Sequence, residues 1–382
     1  MLFYYEHSSS VLNSKKEDTS LPHEVRMLSS ERFVVYGGTG YHHFDSRVLE
    51  HVNKATGLDL DFSHIKHSMW TDSEPGFRFA RPEKIKDRHV IVFSCPITAK
   101  LYVQLQDIVV AAHHQYDAAS VTVVMSFLRS RRMDHPEKTK EISRLQQFML
   151  LLKFWGADRL VLCEPHNIAN TQQFCDQAGL ELFVGDPTRL FANAIMGLVQ
   201  TLGQENVVVY SPDFGSGGRA MNLARAIGAG VVASPKRRLN GRVEAFADDP
   251  TFLARFKATY GDDIPVSCNM SDVADKHVLM REDEVASGST ANKTVGNLKA
   301  AGAKGVHLLA THPVCTWGWK NVLLPDEEGE APPFTSIWFG NTRPRGFGET
   351  EYEGSTGGEI TTVDMSPIVA ETLIRAMEGI KD

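Results

Sequence analysis

Val278-Leu279-Met280-Arg281-Glu282-Asp283-Glu284-Val285-Ala286-Ser287-Gly288-Ser289-Thr290 passes from an apolar run into paired acids, then into a small polar turn that opens a helix through Ala301. A strand that ends this way gathers backbone N–H groups, three hydroxyls and an unobstructed glycine around one point, which is a cradle for a phosphate. Acids just before the cradle can accept hydrogen bonds from sugar hydroxyls. The same residues also suit an acidic, solvated loop whose helix is capped by Ser or Thr.

Further runs like Val278–Met280 lie on both sides of it: Phe33–Tyr36, Val90–Phe93, Val121–Val124, Leu160–Leu162, Val207–Tyr210, Val231-Val232, Val306–Leu309 and Ile337–Phe339. They are apolar at successive positions, as strands covered on both faces are. Between them, Ile142, Leu145, Phe148, Met149 and Leu152 fit one helical face, as do Leu190, Ala194, Leu198 and Leu202. Ser366-Pro367 reads as an N-cap and first residue of a helix reaching about Gly379. Strands spaced by helices predict βαβ units and parallel sheets, with two sets divided near Gly185-Asp186-Pro187. Residues 321–334 and 345–358, rich in Glu, Gly and Pro, read as surface insertions.

The 382 residues exceed one comfortable core, so two domains are expected. A net charge of -7 argues against a nucleic-acid partner, and no stretch approaches the roughly 20 apolar residues of a membrane-spanning helix. Five cysteines without a C-x-x-C pair argue against a disulfide framework or structural zinc, and a cytoplasmic location is expected.

Taken in order, the motifs resemble those of the phosphoribosyl pyrophosphate synthetases. Ser287, Gly288, Ser289 and Thr290 stand at the family's ribose-phosphate loop, with Glu282 and Asp283 as its acidic pair. Gly302-Ala303-Lys304-Gly305-Val306 and Ala310-Thr311-His312-Pro313 follow at matching spacing. Upstream, Val209–Gly215 resembles the segment whose Asp, here Asp213, helps bind metal and nucleotide phosphates. Pro235-Lys236-Arg237-Arg238 resembles the start of a mobile catalytic loop, where Lys236 and Arg238 would offset charge on the transferring diphosphate. Cys163-Glu164-Pro165-His166 is similar to Asp-Leu-His, with His166 at the metal-associated histidine. Phe127–Asp134 resembles the loop ending in Arg-Gln-Asp, so Arg132 and Asp134 fall at ATP-binding positions. Trp70-Thr71-Asp72-Ser73-Glu74 resembles the adenine-recognition segment, in which Trp70 would stack and Asp72 and Glu74 accept hydrogen bonds, usually from a neighbouring subunit.

This resemblance implies an α/β fold of two phosphoribosyltransferase-like domains, each a mainly parallel sheet flanked by helices. Residues 1–30 would be a poorly ordered extension, 31–185 the ATP side, and 186–365 the ribose-phosphate side. Residues 366–382 would form a helix packing back on the first domain. It implies Mg2+-dependent transfer of diphosphate from ATP to ribose 5-phosphate, releasing AMP, in a homo-oligomer (dimer or hexamer). Several positions depart from the pattern. Ala286 stands where most of the family has a third acid, Ser289 replaces a glycine and Met133 a glutamine. Glu164 replaces Asp, and Arg281 reads as an inserted residue. These departures keep two alternatives open, a ribose 5-phosphoester acceptor such as ADP-ribose and a non-enzymatic regulatory paralogue; a third, a phosphoribosyltransferase, is disfavoured by Trp70–Glu74 and the duplicated architecture.

Overall fold

A computed structural model of the protein describes residues 28–71, 75–134, 142–239, 242–245, 249–324, 332–344 and 360–380. Apolar runs with side chains alternating to two faces need cover on both sides, and this is what they obtain. In β1 (Phe33–Thr39), Phe33 and Val35 face one core while Val34 and Tyr36 face another. The chain continues through α1 (His42–Thr56), β2 (Phe62–Ser63) and a hairpin of β3 (Ile65–Met69) with β4 (Pro75–Phe79). Then come β5 (His89–Ser94), α2 (Ala99–Val110), β6 (Ser120–Met125), α3 (Arg144–Trp155), β7 (Arg159–Cys163), α4 (Ile168–Ala178) and β8 (Glu181–Gly185). The first sheet has the order β2-β1-β5-β6-β7-β8, parallel at every pairing.

The second half repeats this plan. Its elements are α5 (Thr188–Leu202), β9 (Val207–Ser211), α6 (Gly217–Ile227), β10 (Gly230–Ala233), a ribbon of β11 (Lys236–Leu239) and β12 (Arg242–Ala245), and α7 (Pro250–Tyr260). They continue with β13 (Val266–Ser267), β14 (His277–Val285), α8 (Ser289–Ala300), β15 (Gly305–Pro313), α9 (Trp319–Leu323), β16 (Ser336–Gly340), β17 (Ile360–Val363) and α10 (Ser366–Glu378). The second sheet, also parallel throughout, is ordered β13-β10-β9-β14-β15-β16-β17. Strand order reverses between β9 and β14, and ligands of open parallel sheets bind at such a switch point, beyond the carboxyl ends of the strands.

One core joins the two sheets: Val35, Ile91 and Val161 from the first and Val209, Val231 and Leu279 from the second share it with α1, α5, α6 and α10. The last helix therefore belongs to the first sheet as much as the second. It packs against β7, β8 and α1, and Arg375 donates to the Val184 carbonyl at 2.9 Å.

Several local expectations shift. Ile142 precedes the Ser143 N-cap of α3 and is exposed, so the buried face is Leu145, Phe148, Met149 and Leu152. In α5 the buried face is Phe191, Ala192, Ile195 and Val199, one position on from the stripe predicted, and Ala194 is exposed. Ser366 is the first helical residue of α10 rather than its cap, and its hydroxyl bonds Asp364. The stretch 321–334 is not wholly surface: Leu323 and Phe334 are core residues, while 325–331 lie outside the described residues, as do 345–358. Of the N-terminal extension, 1–27 lie outside the described residues, and Leu28 packs against the common core. Arg281 lies within β14, which keeps unbroken register with β15 through Arg281↔Leu309.

Candidate active site

The carboxyl ends of β6, β7 and β8 face those of β9 and β14 across a cleft of about 770 Å³. Ser287, Gly288, Thr290 and Ala291 line one wall where β14 turns into α8. Gly288 adopts the left-handed conformation (φ 81°), and a Cβ there would lie 2.6 Å from Leu323, so only glycine suits the turn. Ser289 is exposed and turns its hydroxyl to Ser287 (3.0 Å) rather than lining the cleft. Ala286 lines the cleft beside them, with its carbonyl accepting from Thr316 N–H.

Asp213 lies on the turn after β9, exposed at the rim, where one carboxylate oxygen accepts from Ser216 N–H at 3.0 Å. His166 follows β7 and reaches across the cleft: its Nδ1 is 2.7 Å from Asp283 Oδ2. Glu282 and Asp283 both line the cleft, although alternation along the strand turns them to opposite faces. Glu282 is half-buried, while Asp283, 4% exposed, engages His166 and Arg219 (3.4 Å). Burial would raise the Asp283 carboxyl, yet the bond to His166 and the Arg219 charge hold it well below the usual carboxylate range. Conversely, the Asp283 hydrogen bond raises the His166 imidazole above its ordinary value, against the effect of burial.

Arg132 and Asp134 also line the cleft. Arg132 lies 3.5 Å from Glu284, and Asp134, buried, accepts from Asn170 Nδ2 at 2.9 Å. Trp70 is 59% exposed at the tip of the β3–β4 hairpin and does not line the cleft. Asp72 and Glu74 lie outside the described residues. Lys236 and Arg238 occupy alternate positions of β11, paired with Ala245 and Val243.

Sequence reasoning missed four groups that the structure brings together. Arg219, in the first turn of α6, points among Asp283, Glu164, Glu282 and Asp213, whose charges outweigh burial and raise its pKa. The Gly217-Gly218-Arg219 start of a helix just after Asp213 was a usable signal. Glu284, third in the acid run, is ion-paired to the buried Arg131 as well as to Arg132. Arg281 and Glu164 form a buried ion pair at 2.6 Å between the two sheets. His312 donates from Nε2 to the Glu164 carbonyl (3.0 Å). That carbonyl can only accept, so Nε2 carries a proton, and Nδ1 lies 2.7 Å from the Thr342 hydroxyl. Burial and Arg131 lower the His312 pKa to about 4.

No protein-family model matches the chain. It is 25% identical over 243 residues to the ribose-phosphate pyrophosphokinase of Mycoplasma genitalium, covering 64% of this chain and 65% of that enzyme's length, just under two thirds. Against the ribose-phosphate pyrophosphokinase of Ralstonia nicotianae, identity is 22% over 359 residues, 92% of this chain and 97% of the enzyme. Among solved structures, a phosphoribosylpyrophosphate synthetase from Mycobacterium smegmatis superposes with a TM-score of 0.70 at 19% identity, over 91% of this chain and all of that one. That likeness establishes the fold: α/β, with two parallel phosphoribosyltransferase-like sheets flanked by helices. Among the described residues no helix is long and apolar enough to cross a membrane.

Proposed function

We propose, from the premise that this chain is a divergent relative of the ribose-phosphate pyrophosphokinases, that it transfers diphosphate from ATP to the anomeric hydroxyl of ribose 5-phosphate. The single observation carrying this reading is that the Ser287–Thr290 turn, Asp213 and His166, drawn from opposite sheets, share one cleft. The acceptor's phosphate enters the α8 turn, where N–H groups and hydroxyls meet it, and Glu282 takes its ribose hydroxyls. The anomeric oxygen bonds to the β-phosphorus as the bridging oxygen leaves with AMP. The hydroxyl proton passes to a phosphate oxygen or to solvent, since no side chain is assigned as a base. Arg132, Asp134 and Arg219 orient ATP, with Trp70, Asp72 and Glu74 contributed by another subunit of a homo-oligomer. Lys236 and Arg238 then offset the charge that develops on the transferring group.

Magnesium takes oxygen ligands, keeps several waters and is usually shared between one or two carboxylates and substrate phosphates. Asp213, at the rim with one oxygen committed to Ser216, fits that mode. His166, its Nδ1 committed to Asp283, fits a contact to phosphate or to a metal-bound water. When bound, the ion would neutralise phosphate charge in the transition state.

A second reading keeps the chemistry but takes a ribose 5-phosphoester such as ADP-ribose. It is favoured by Ala286, which opens the ribose side of the cleft, and by Trp317. That side chain is 97% exposed on a turn pinned to Val285 and Ala286 by the N–H groups of Cys315 and Thr316. Incubation with magnesium, ATP and either acceptor, followed by chromatography for AMP and the diphosphorylated sugar, tests both. AMP with ribose 5-phosphate alone supports the first reading and selectivity for ADP-ribose the second. No AMP with either leaves a nucleotide-binding regulatory protein.

A further inference from the structure

Two departures from the family's pattern, Glu164 for Asp and Arg281 before the acid pair, meet in space. In a strand, alternate residues share a face, so Arg281 and Asp283 of β14 point the same way. Across the cleft they meet Glu164 and His166, also two residues apart. The result is a ladder of two rungs between the sheets: Arg281–Glu164 at 2.6 Å and Asp283–His166 at 2.7 Å.

The first rung is sealed and many-sided. Arg281 has no solvent exposure, its guanidinium lies 4.3 Å from the Phe191 ring centroid, and its Nη2 donates to both Glu164 oxygens and to Thr311 (2.9 Å). The Thr311 hydroxyl also donates to Glu164. The backbone of Glu164 is held as firmly, its N–H donating to Gly185 O (3.1 Å) and its carbonyl accepting from His312. Glu164 sits at φ +35°, a conformation that a non-glycine residue keeps only when its surroundings over-determine it. That residue begins the turn carrying His166. A buried ion pair of this kind contributes little net stability compared with apolar residues of equal size, so stability alone does not account for it.

We propose that the Arg281–Glu164 rung is a positioning device: it fixes the turn after β7 so that His166 meets Asp283 and the transferring phosphates in one geometry. This rests on the proposed diphosphate transfer. Arg281 touches no reacting atom; it acts through Glu164 on His166.

The test compares wild type, Glu164→Gln/Arg281→Met and Arg281→Lys by urea denaturation, by kcat and KM for ATP and acceptor, and by proton NMR. The NMR signal followed is the downfield imidazole N–H shared with Asp283, identified by its loss in His166→Gln. The double variant removes both charges at nearly constant volume. It is expected to keep the wild-type denaturation midpoint and both KM values within about twofold, while kcat falls roughly 10- to 100-fold, the scale of a small misplacement. The imidazole resonance should broaden or move upfield. A folded double variant with wild-type kcat and an unmoved resonance overturns the proposal. Should that variant not fold, Arg281→Lys decides. Lysine is one bond shorter and lacks the planar fork, so its ammonium cannot occupy the Nη2 position that serves Glu164 and Thr311, and wild-type kcat there is equally fatal. If wild type itself forms no AMP, the proposed activity falls, and the resonance alone judges the rung.

Discussion

Replacing Gly288 with alanine adds one methyl group where the phosphate turn has least tolerance. The backbone there is left-handed (φ 81°), which costs an L-residue about 1–2 kcal/mol. The new Cβ would also stand 2.6 and 2.7 Å from Leu323 Cδ2 and Cγ. Leu323 is 1% exposed in the core under α9 and cannot swing into solvent, so overpacking adds about 1–3 kcal/mol. The sum is about 2–5 kcal/mol. Gly57, at the C-cap of α1, gives the control: φ is 72°, but nothing lies within 4 Å of its Cβ, so Gly57→Ala should cost only the conformational ~1–2 kcal/mol. If Gly288→Ala relieves its clash by shifting the turn, the same energy appears as weaker acceptor binding, tenfold for each ~1.4 kcal/mol. Urea midpoints and acceptor KM values for the two variants separate these outcomes. Should Gly288→Ala match Gly57→Ala in both, the turn neither abuts Leu323 as described nor holds the acceptor.

Glu284→Gln removes the charge facing Arg131, whose guanidinium is 10% exposed and also lies over Phe127 at 4.1 Å. Loss of one partner from such a pair should lower stability by about 3–5 kcal/mol, and an unchanged urea midpoint would contradict it. Burial, with His277 nearby, lowers the His307 pKa to about 4, so the unfolded chain takes up a proton first as pH falls. The contribution is intact above pH ~6.5 and lost towards pH ~4, about 3 kcal/mol in all, and urea midpoints of His307→Gln across that window should fall less steeply than those of wild type. Ala286→Asp restores an acid beside the ribose; kcat/KM for ribose 5-phosphate should rise several-fold over that for ADP-ribose, about 1 kcal/mol. A constant ratio would separate position 286 from acceptor choice.

Features carried by residues close together in the chain were open to reading before any coordinates. The apolar runs at Phe33–Tyr36 and Val207–Tyr210 declare buried parallel strands because both of their faces are apolar. The Ser287–Thr290 turn is legible as a candidate phosphate cradle because glycine, hydroxyls and a helix start coincide there. Short edge strands such as Phe62–Ser63 and Val266–Ser267 carry too few residues for any period, and they went unseen. The α5 stripe slipped by one position because apolar residues cover a wide arc of that helix, Leu190, Leu198 and Leu202 beside Phe191, Ile195 and Val199, and only its neighbours choose the buried side.

The chain's own order of residues thus determined its class, its two-sheet plan and most of its cleft, all written in local periodicity and turn chemistry. What it could not disclose is which acid of Glu282-Asp283-Glu284 serves which purpose, or that Arg281 belongs to Glu164. Those partners are 117 residues apart, and nothing local in the sequence records the meeting. Pleat direction assigns Asp283 to His166, and the packing of one sheet against the other brings Arg281 to Glu164. Both are properties of the assembled sheets, and both exist only once the shared core has closed.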